Sequence, residues 1–262
     1  MFILFDLGAT KTRMAFSVDG EIFENPEVFE TQKNYEEGFK LFETTAKKLA
    51  KGREIKKIAG GMSRSIPNWT YEKFKKDLDE NFGVVVFIEN DSAIVGLGEA
   101  TWGAGKDFEI VAYITVSTGV GGVRIVNGKI DETAIGFEPG KQIVDIENGL
   151  NKTLEDLISG KALKEKTGKN PKEISDENIW NEHAKILAIG LNNIIVEWSP
   201  NCVVLGGSMI TGNPAISVEK TEQYLKEILK IFPQLPVIKK AELGDFGGLY
   251  GALAYLKNKS LI

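Results

Sequence analysis

Residues Phe2–Glu21 read FILFDLGATKTRMAFSVDGE, and residues Val111–Lys129 read VAYITVSTGVGGVRIVNGK. Each stretch is an apolar run, a turn of glycine, threonine and small residues, a second apolar run, and then Asp-Gly or Asn-Gly. This pattern predicts a β-hairpin closed by residues that tolerate positive φ. The first turn of each hairpin is richer in glycine and threonine than a hairpin requires, so its N–H groups and hydroxyls can approach an anion. Because the chain contains two such turns, one in each half, it is predicted to hold a polyphosphate between two related lobes.

Asp6 ends an otherwise apolar strand and stands just before the first turn. Because an unpaired buried carboxylate costs several kcal/mol, its side chain is expected to reach solvent, a cation or a hydrogen-bond donor. Beside a Gly-Thr loop it suggests Mg²⁺, held partly through water, with phosphate oxygens on the loop. The sequence contains neither a Walker A motif nor a dinucleotide fingerprint, so hairpins rather than a P-loop would hold the phosphates. Two ordinary hairpins in an α/β protein are the alternative interpretation.

The composition is that of a globular protein, with 262 residues, 42% hydrophobic, and a formal net charge of −5. This length allows one large or two modest domains. The acidic balance argues against a nucleic-acid partner, and no apolar run reaches the roughly 18 residues of a membrane span. Neither a membrane span nor a signal peptide is expected. The single cysteine, Cys202, excludes an internal disulfide, is expected to be a buried small hydrophobe, and fits a cytoplasmic location.

Strands alternate with helices along the chain, which predicts a wound α/β architecture. After the first hairpin, apolar periodicity predicts helices over residues 35–50, 71–82, 92–101, 176–198, 216–231 and 246–257. Thr153 and Asp156 have the spacing of a capping box at the start of a further helix. Short strands are predicted over residues 58–62, 84–88, 203–205 and 237–243.

Asp91 is the strongest candidate for a catalytic residue. It follows Glu89 and Asn90 at the carboxyl end of a buried strand, where open α/β sheets place their ligands. The alternative is that Asn90 or Asp91 only caps the next helix. Since a cap needs one such side chain, the extra carboxylate is suited to accept a proton from a substrate hydroxyl.

Four segments now stand in order along the whole chain: Asp6-Leu-Gly-Ala-Thr-Lys11, Glu89-Asn-Asp91 with the later Gly98-Glu99, Ser117-Thr-Gly-Val-Gly-Gly122 and Leu205-Gly-Gly-Ser208. In this order they resemble the first phosphate loop, catalytic segment, second phosphate loop and adenosine-contacting turn of the ROK (repressor, open reading frame, kinase) sugar kinases. That family lies within the actin-like ATPase superfamily. The resemblance implies a two-lobed α/β, ribonuclease H-like fold with a cleft between the lobes. The expected lobes are residues 1–108 with 246–262, and residues 109–245.

The resemblance also implies an activity: ATP-dependent phosphorylation of a sugar hydroxyl, with a hexose such as glucose or an N-acetylhexosamine as acceptor. Asp91 would be the general base, Asn90 a sugar ligand, and Asp6 the residue that positions Mg²⁺. The residues implied around the phosphates are Gly8, Thr10, Lys11, Thr118 and Gly119. Gly206 and Gly207 would border the adenosine.

The acceptor-binding half departs from the family. The family carries Glu-x-Gly-His, whose histidine binds sugar and zinc, whereas this chain has Glu138-Pro-Gly-Lys141. A neutral acceptor and metal ligand thus becomes a compact cation with three donors. Residues 145–153 lack the cysteines of the family's zinc loop, so no structural zinc is predicted.

Other acceptor-side assignments stay open. Glu155 matches a sugar-binding glutamate of the family, but an acid favoured by the helix dipole is an equal alternative. Asn68 could bind hydroxyls and Trp69 could stack on a sugar, although turn and packing roles fit equally. His183, on the long helix, is expected to be a partly packed surface residue.

Two other kinds of protein fit parts of the pattern. One is an actin-like nucleotide-binding protein without sugar kinase activity, which the altered Glu138–Lys141 segment leaves open. The other is a sugar-sensing regulator, disfavoured because no DNA-binding helix-turn-helix precedes the first strand. The sequence leaves open the sugar, the choice between ATP and a donor such as polyphosphate, and the oligomeric state; the family suggests a homodimer.

Overall fold

The computed structural model describes residues 1–146 and 151–260. The chain divides into two compact units. Unit 1 comprises Met1–Trp102 and the C-terminal segment from Leu243, and unit 2 comprises Gly103–Glu242. Unit 1 is therefore built from two separate stretches of sequence.

The strands, in chain order, are β1 Phe2–Leu7, β2 Lys11–Ser17, β3 Glu24–Glu30, β4 Lys57–Met62, β5 Val85–Asn90, β6 Ile110–Val116, β7 Val120–Val126, β8 Lys129–Ile130, β9 Ile143–Asp145, β10 Lys152–Thr153, β11 Cys202–Gly206 and β12 Val237–Lys240. The helices are α1 Tyr35–Ala50, α2 Tyr71–Phe82, α3 Asp91–Thr101, α4 Leu154–Ile158, α5 Gly160–Thr167, α6 Glu177–Trp198, α7 Ser208–Thr211, α8 Val218–Ile228 and α9 Gly247–Ser260. Among the described residues, no helix combines the length and the hydropathy needed to cross a bilayer.

The sheet of unit 1 has the strand order β3-β2-β1-β4-β5. The β1–β2 hairpin and β3 are antiparallel, whereas β1, β4 and β5 run parallel. The register aligns Asp6 of β1 with Gly61 of β4, and Gly61 with Glu89 of β5. The carboxyl ends of these parallel strands therefore form one edge, which carries the predicted catalytic segment.

Each face of this sheet is covered by helices. On one face Phe5 packs edge-on against Phe42 of α1 and Phe74 of α2. On the other face α3 packs against α9, and a methyl group added at Gly251 would collide with the carbonyl oxygen of Ile94. Backbone thus meets backbone where α3 and α9 cross, so this contact requires glycine.

Unit 2 repeats the arrangement with the strand order β12-β11-β6-β7-β8. The hairpin β6–β7 is antiparallel, and β11 runs parallel to both β6 and β12. The buried side of α6, including Leu187 and Leu191, packs with apolar residues of β6 and β11. Cys202 is buried at the start of β11, as predicted.

Most of the predicted elements match the structure. Both hairpins form; α1 and α2 have the predicted bounds, and Gly83 ends α2 with φ 64°. The Thr153–Asp156 capping box is present. The prediction was wrong on α8 and β12, which are shorter, and β3 was missed because its residues are mostly exposed and its sequence contains proline.

His183 corrects another expectation, because its side chain is buried, with 2% exposed. Its Nδ1 lies 2.7 Å from the carbonyl oxygen of Ile179. A carbonyl can only accept, so Nδ1 carries the proton and Nε2 is left as a buried acceptor, which has no partner among the described residues. Burial lowers the pKa of His183 below its usual value. The apolar periodicity of α6 did not predict the burial of His183, because a single polar residue on a long helix is compatible with either the buried or the exposed face.

Replacing His183 by leucine is expected to remove one acid-sensitive contribution to stability. The unfolded chain takes up a proton near pH 6.5, whereas the buried imidazole resists protonation, so the wild type loses stability as pH falls below about 6.5. The variant should lack this loss. Urea unfolding at pH 7.5 and 5.5 measures the difference, with Glu182→Gln as the neighbouring control. Equal losses in the wild type and His183→Leu would contradict the assignment.

Candidate functional site

The carboxyl edge of the unit 1 sheet gathers the polar residues predicted from its strands. Asp6 is the second-last residue of β1, Asn90 is the last residue of β5, and Asp91 is the first residue of α3. Gly61, on the intervening strand, lets α3 approach, since an added methyl group would lie 3.0 Å from Cα of Asp91. The negative charge of Asp91 contributes to raising the pKa of Asp6, which is a further sign of their proximity.

Asn90 and Asp91 have separate structural roles. Asn90 is the N-cap of α3, and its Oδ1 accepts a hydrogen bond from the Ala93 N–H at 3.2 Å. Asp91 Oδ1 accepts from the N–H of the adjacent Ser92 at 2.9 Å, and the side chain is partly exposed. The capping alternative therefore accounts for Asn90 and leaves the Asp91 carboxylate as the additional acid. Asn90, with its oxygen engaged in the cap, retains its NH₂ group as a donor for a ligand.

Asp6 is buried beside a cation that the sequence analysis did not identify. Its Oδ2 lies 3.3 Å from Nη1 of Arg13, directly across the hairpin, and Nη2 of the same guanidinium lies 3.3 Å from Asp245. A methyl group added at Gly248 would collide with the Asp6 carboxyl group. Burial raises the pKa of Asp6 to about 7, and Arg13 opposes this shift. The hairpin register was the available signal for Arg13, because it pairs the two residues.

The first turn presents small exposed residues. The Gly8 N–H donates to the carbonyl oxygen of Lys11 at 3.1 Å, while Ala9, Thr10 and Lys11 are exposed. The N–H groups of Ala9 and Thr10 have no hydrogen-bond partner within the described residues. These two donors, with the Thr10 hydroxyl and the Lys11 ammonium, can bind an anion.

Thr31, which follows β3, stabilises this turn through hydrogen bonds to its carbonyl oxygens. Its N–H donates to the carbonyl oxygen of Thr10 at 3.0 Å, and its hydroxyl donates to that of Gly8 at 2.7 Å. Its hydroxyl also lies 2.9 Å from that of Thr12. This residue was missed because β3 itself was missed.

Thr31→Val is therefore expected to loosen the first turn. It leaves the Gly8 carbonyl without its side-chain donor, which should cost about 1–2 kcal/mol in free energy of unfolding. A nucleotide held by this turn should bind several-fold more weakly. Urea unfolding and titration with an ATP analogue measure both effects, with Thr44→Val on the exposed face of α1 as control. A variant that matches the control in both would show that Thr31 does not brace the turn.

The second turn, residues 117–120 of unit 2, is held by hydrogen bonds to its carbonyl oxygens, and two of its N–H groups remain available. The Ser117 N–H donates to the carbonyl oxygen of Gly119 at 2.8 Å, and the Gly160 N–H donates to that of Ser117 at 2.7 Å. The Lys161 N–H donates to the carbonyl oxygen of Thr118 at 3.2 Å. In the part of the chain that the structure describes, the N–H groups of Thr118 and Gly119 have no partner. The two hairpins thus share an exposed turn with unengaged donors.

Gly206 and Gly207 lie against the end of β6, next to this turn. A methyl group at Gly206 would lie 2.5 Å from the Tyr113 hydroxyl oxygen, and one at Gly207 would collide with the Val116 carbonyl oxygen. Gly207 also has φ 86°, a conformation that favours glycine. Packing thus requires both glycines, and unit 2 brings them together with Thr118 and Gly119.

The acceptor-side candidates Lys141 and Glu155 form an ion pair. Lys141 Nζ lies 2.5 Å from Glu155 Oε1, and Glu155 Oε2 accepts from the Val120 N–H at 2.8 Å. The hydrogen bond to Glu155 is the largest cause of a raised Lys141 pKa. Glu138 is exposed at the start of the turn that ends with Lys141. Glu147–Leu150, part of the segment where the family has its zinc loop, lie outside the described residues.

Asn68 and Trp69 differ in their surroundings. Trp69 is buried against Tyr35 and Phe74, and its Nε1–H donates to the Gln32 carbonyl oxygen at 3.1 Å. Its role is therefore packing, and the sugar-stacking alternative is wrong. Asn68 is exposed with φ 66°, a backbone conformation in which asparagine is enriched. Its side chain is available to a ligand, but the turn by itself explains an asparagine here.

The chemistry of these residues fits phosphate oxygens and a metal ion held through water. Within residues 1–146 and 151–260, no group of three or more His, Cys, Asp or Glu side chains is arranged to hold a metal ion. Asp6 is a single carboxylate, which suits contact with Mg²⁺ through water better than a closed protein cage. The unengaged N–H groups of both hairpin turns fit phosphate oxygens.

The architecture matches solved structures along nearly the whole chain. A ROK hexokinase from Thermus thermophilus superimposes with a TM-score of 0.78 at 26% identity, covering 98% of this chain and 99% of that one. A ROK family glucokinase from Streptomyces griseus, solved with glucose and AMPPNP, gives a TM-score of 0.77 at 20% identity, covering 97% and 98%. The chain therefore has the two-lobed α/β fold of the actin-like ATPases.

It belongs to the ROK family, whose model matches residues 3–259. An N-acetyl-D-glucosamine kinase from Mannheimia succiniciproducens is 30% identical over 217 residues, covering 70% of this chain and 71% of that protein. A xylose repressor from Bacillus subtilis is 29% identical over 170 residues. That match spans 57% of this chain and less than half, 44%, of the repressor. The relatives thus include both kinases and regulators.

Proposed function

We propose that this protein is an ATP-dependent kinase that phosphorylates a hydroxyl of a hexose or N-acetylhexosamine. The observation that carries the proposal is the additional carboxylate of Asp91 beside Asp6, at a sheet edge that also bears an anion-binding turn. The kinases among its relatives support the same class of reaction. Unit 2 contributes the second turn and the glycines proposed to border adenosine.

In the proposed reaction, the oxygen of the acceptor hydroxyl bonds to the γ-phosphorus of ATP. Asp91 accepts the proton that this hydroxyl releases. The bond between the γ-phosphorus and the bridging oxygen breaks, and ADP leaves with that oxygen. Gly8, Thr10, Lys11, Thr118 and Gly119 bind and orient the phosphates through N–H groups, hydroxyls and an ammonium. When bound, Mg²⁺ neutralises charge on the phosphoryl oxygens. Positioning and electrostatics supply most of the acceleration in such transfers.

Asp6 is proposed to orient Mg²⁺ through water, with Arg13 holding its carboxylate in place. Asn90 and Asn68 are proposed to donate to sugar hydroxyls, and Glu138, Lys141 and Glu155 to complete acceptor recognition. In support of these roles, Asn68, Glu138 and Lys141 are exposed, and Glu155 accepts a hydrogen bond from Val120 at the second turn.

The test measures ADP release from Mg-ATP in the presence of glucose, other hexoses, N-acetylhexosamines or pentoses, with a control that contains no sugar. A parallel assay replaces ATP with polyphosphate and measures the sugar phosphate formed. ADP release that depends on one sugar class supports the proposal and names the acceptor. Nucleotide binding without transfer to any sugar would support the nucleotide-binding alternative instead.

A sugar-sensing regulator is the second candidate, because a xylose repressor is among the relatives. Equilibrium binding of each sugar, measured by calorimetry, separates the two. A regulator binds a sugar tightly yet shows no phosphorylated product.

A further inference from the structure

Residues 63–65, which follow β4, lie at the same edge of the unit 1 sheet as the first turn and the start of α3. Strand β4 stands between β1 and β5, and the register pairs its last residue, Met62, with Leu7 of β1 and with Asn90 of β5. The Ser63 N–H donates to the Leu7 carbonyl oxygen at 2.8 Å. The segment after β4 is therefore flanked by the turn proposed to hold phosphate and by the proposed general base.

This segment presents an arginine to solvent. Ser63 is buried, and its hydroxyl oxygen lies 2.9 Å from that of Ser65 and accepts from the Ser65 N–H at 3.4 Å. These contacts fix the residues on either side of Arg64, which is exposed. A ligand at this edge of the sheet can therefore reach the guanidinium of Arg64.

Tyr71, the first residue of α2, holds the arginine side chain. The Cζ atom of Arg64 lies 5.9 Å from the centroid of the Tyr71 ring. The Tyr71 hydroxyl donates to the Met62 carbonyl oxygen at 2.5 Å and is also hydrogen-bonded to Arg64. Since a phenolic hydroxyl can donate and accept at once, Tyr71 connects the guanidinium to the last residue of β4.

The carboxylates of the predicted catalytic segment lie near the same tyrosine. Burial raises the pKa of Tyr71 to about 12, and the charges of Asp91 and Glu89 contribute to the rise. The charge of Arg64 and its hydrogen bond to Tyr71 oppose this rise. One cation and two carboxylates are thus within electrostatic range of one hydroxyl group, which puts Arg64 close to the proposed general base.

A phosphoryl group that crosses this edge needs positive charge along its path. It would leave the first turn and reach a hydroxyl beside Asp91, so its path passes the segment after β4. Its nonbridging oxygens carry negative charge during the transfer, whereas Asp6, Glu89 and Asp91 are all acidic side chains. A planar guanidinium offers two parallel N–H donors that match phosphate oxygens. Arg64 is placed to supply them.

We propose that Arg64 is a catalytic residue that donates hydrogen bonds to the nonbridging oxygens of the phosphoryl group while it is transferred. Tyr71 is a positioning residue that orients the guanidinium. Arg64 forms and breaks no covalent bond: the acceptor proton still goes to Asp91, and ADP still leaves with the bridging oxygen. The inference rests on the proposed function, because it adds a residue to the transfer step of that site.

The experiment compares the wild-type chain with Arg64→Gln, Arg64→Lys and Tyr71→Phe, after thermal unfolding confirms that each variant folds. It measures kcat and KM with Mg-ATP and the sugar that supports the fastest ADP release. With that sugar present, calorimetry measures binding of a non-hydrolysable ATP analogue, which represents the ground state. It also measures binding of Mg-ADP with aluminium fluoride, which mimics the phosphoryl group in transfer.

The matched control is Arg53→Gln. Arg53 is also exposed and also lies over an aromatic ring, with its Cζ 4.8 Å from the centroid of Phe16. It stands in the segment before β4, at the opposite end of that strand from Arg64. This variant should match the wild type in every measurement.

Arg64→Gln is expected to lower kcat about 10²–10³-fold, the usual cost of losing one group that stabilises charge in the transition state. Affinity for the fluoride complex should fall at least about ten-fold more than affinity for the ATP analogue, because the lost contact belongs to the transition state. Arg64→Lys should recover part of kcat, since it keeps the charge without the planar donor pair. Tyr71→Phe should lower kcat with little change in KM.

Three results would overturn the inference while the proposed kinase stands. They are a kcat of Arg64→Gln equal to that of the control, equal losses of affinity for the ATP analogue and the fluoride complex, or an effect confined to the pH at which kcat falls. The last result would make Arg64 only a neighbour of the general base. If no sugar supports ADP release by the wild-type chain or strengthens its binding of the fluoride complex, the proposed function fails together with the inference.

Discussion

Asp91→Asn is expected to lower kcat by about 10²–10⁴-fold, the usual contribution of a positioned general base. The substitution keeps the side-chain shape and the Oδ1 acceptor that meets the Ser92 N–H at 2.9 Å. Helix α3 should stay folded, because Asn90 rather than Asp91 caps it. Nucleotide affinity should change little, since the exposed turn of the β1–β2 hairpin is unaltered.

Sugar-dependent ADP release measures kcat, and titration with a non-hydrolysable ATP analogue measures affinity. Glu72→Gln is the matched control, because Glu72 is another acid in the first turn of a unit 1 helix. Its kcat should equal that of the wild type. Transfer within about ten-fold of the wild-type rate in Asp91→Asn would remove Asp91 from the role of base and leave the helix-terminal explanation.

Asp6→Asn is the second substitution with a large expected effect, and it should act on activity and stability in opposite directions. Loss of the carboxylate proposed to orient Mg²⁺ should reduce kcat/KM by about 10²-fold or more. Stability should rise at neutral and alkaline pH, because burial raises the pKa of Asp6 from 3.8 to about 7. The folded protein thus resists the ionised form that the unfolded chain adopts readily.

The pH dependence of this effect follows from the direction of the pKa shift. Between pH 4 and pH 7 the folded state retains a proton that the unfolded state releases, so the wild type loses stability as pH rises across this interval. An asparagine has no such loss. The stability gain of Asp6→Asn should therefore be on the order of 1–3 kcal/mol at pH 8 and shrink as pH approaches 4.

Urea unfolding without Mg²⁺ at pH 4.5, 6 and 8 measures the gain. Asp245→Asn is the control, since it removes the other carboxylate beside the same Arg13 guanidinium, one whose side chain is 81% exposed. An exposed ion pair contributes at most about 1 kcal/mol, so that variant should follow the wild-type curve closely. A gain for Asp6→Asn that does not depend on pH would argue against a buried, proton-retaining carboxyl group.

Local sequence signals predicted much of the fold. The Asp-Gly and Asn-Gly ends of the hairpins were recognisable, and Gly20, Asn127 and Gly128 do adopt positive φ. Gly83 and the Thr153–Asp156 capping box marked helix ends correctly, because caps depend on residues within one turn. Strand β3 was not predicted, because an exposed edge strand lacks the apolar run that identifies buried strands.

The chemistry of the candidate site was predictable only in part. Asp6 and Asp91 stand at strand and helix ends, which sequence periodicity locates. The contacts of Arg13 with Asp245 and of Lys141 with Glu155 join distant parts of the chain, and no local pattern encodes such pairs. The burial of His183 and Trp69 likewise depends on partners in three dimensions.

The glycine contact between α3 and α9 has a consequence for how the chain is made. Helix α9 belongs to unit 1, yet all of unit 2 lies between α9 and the rest of unit 1 in the sequence. During synthesis, the ribosome releases one continuous stretch that can fold as unit 2 before the last helix of unit 1 has emerged. Until then α3 and the face of the sheet around Leu4 and Ala59 lack their cover. The N-terminal part of unit 1 can therefore complete its native packing only after α9 has been synthesised.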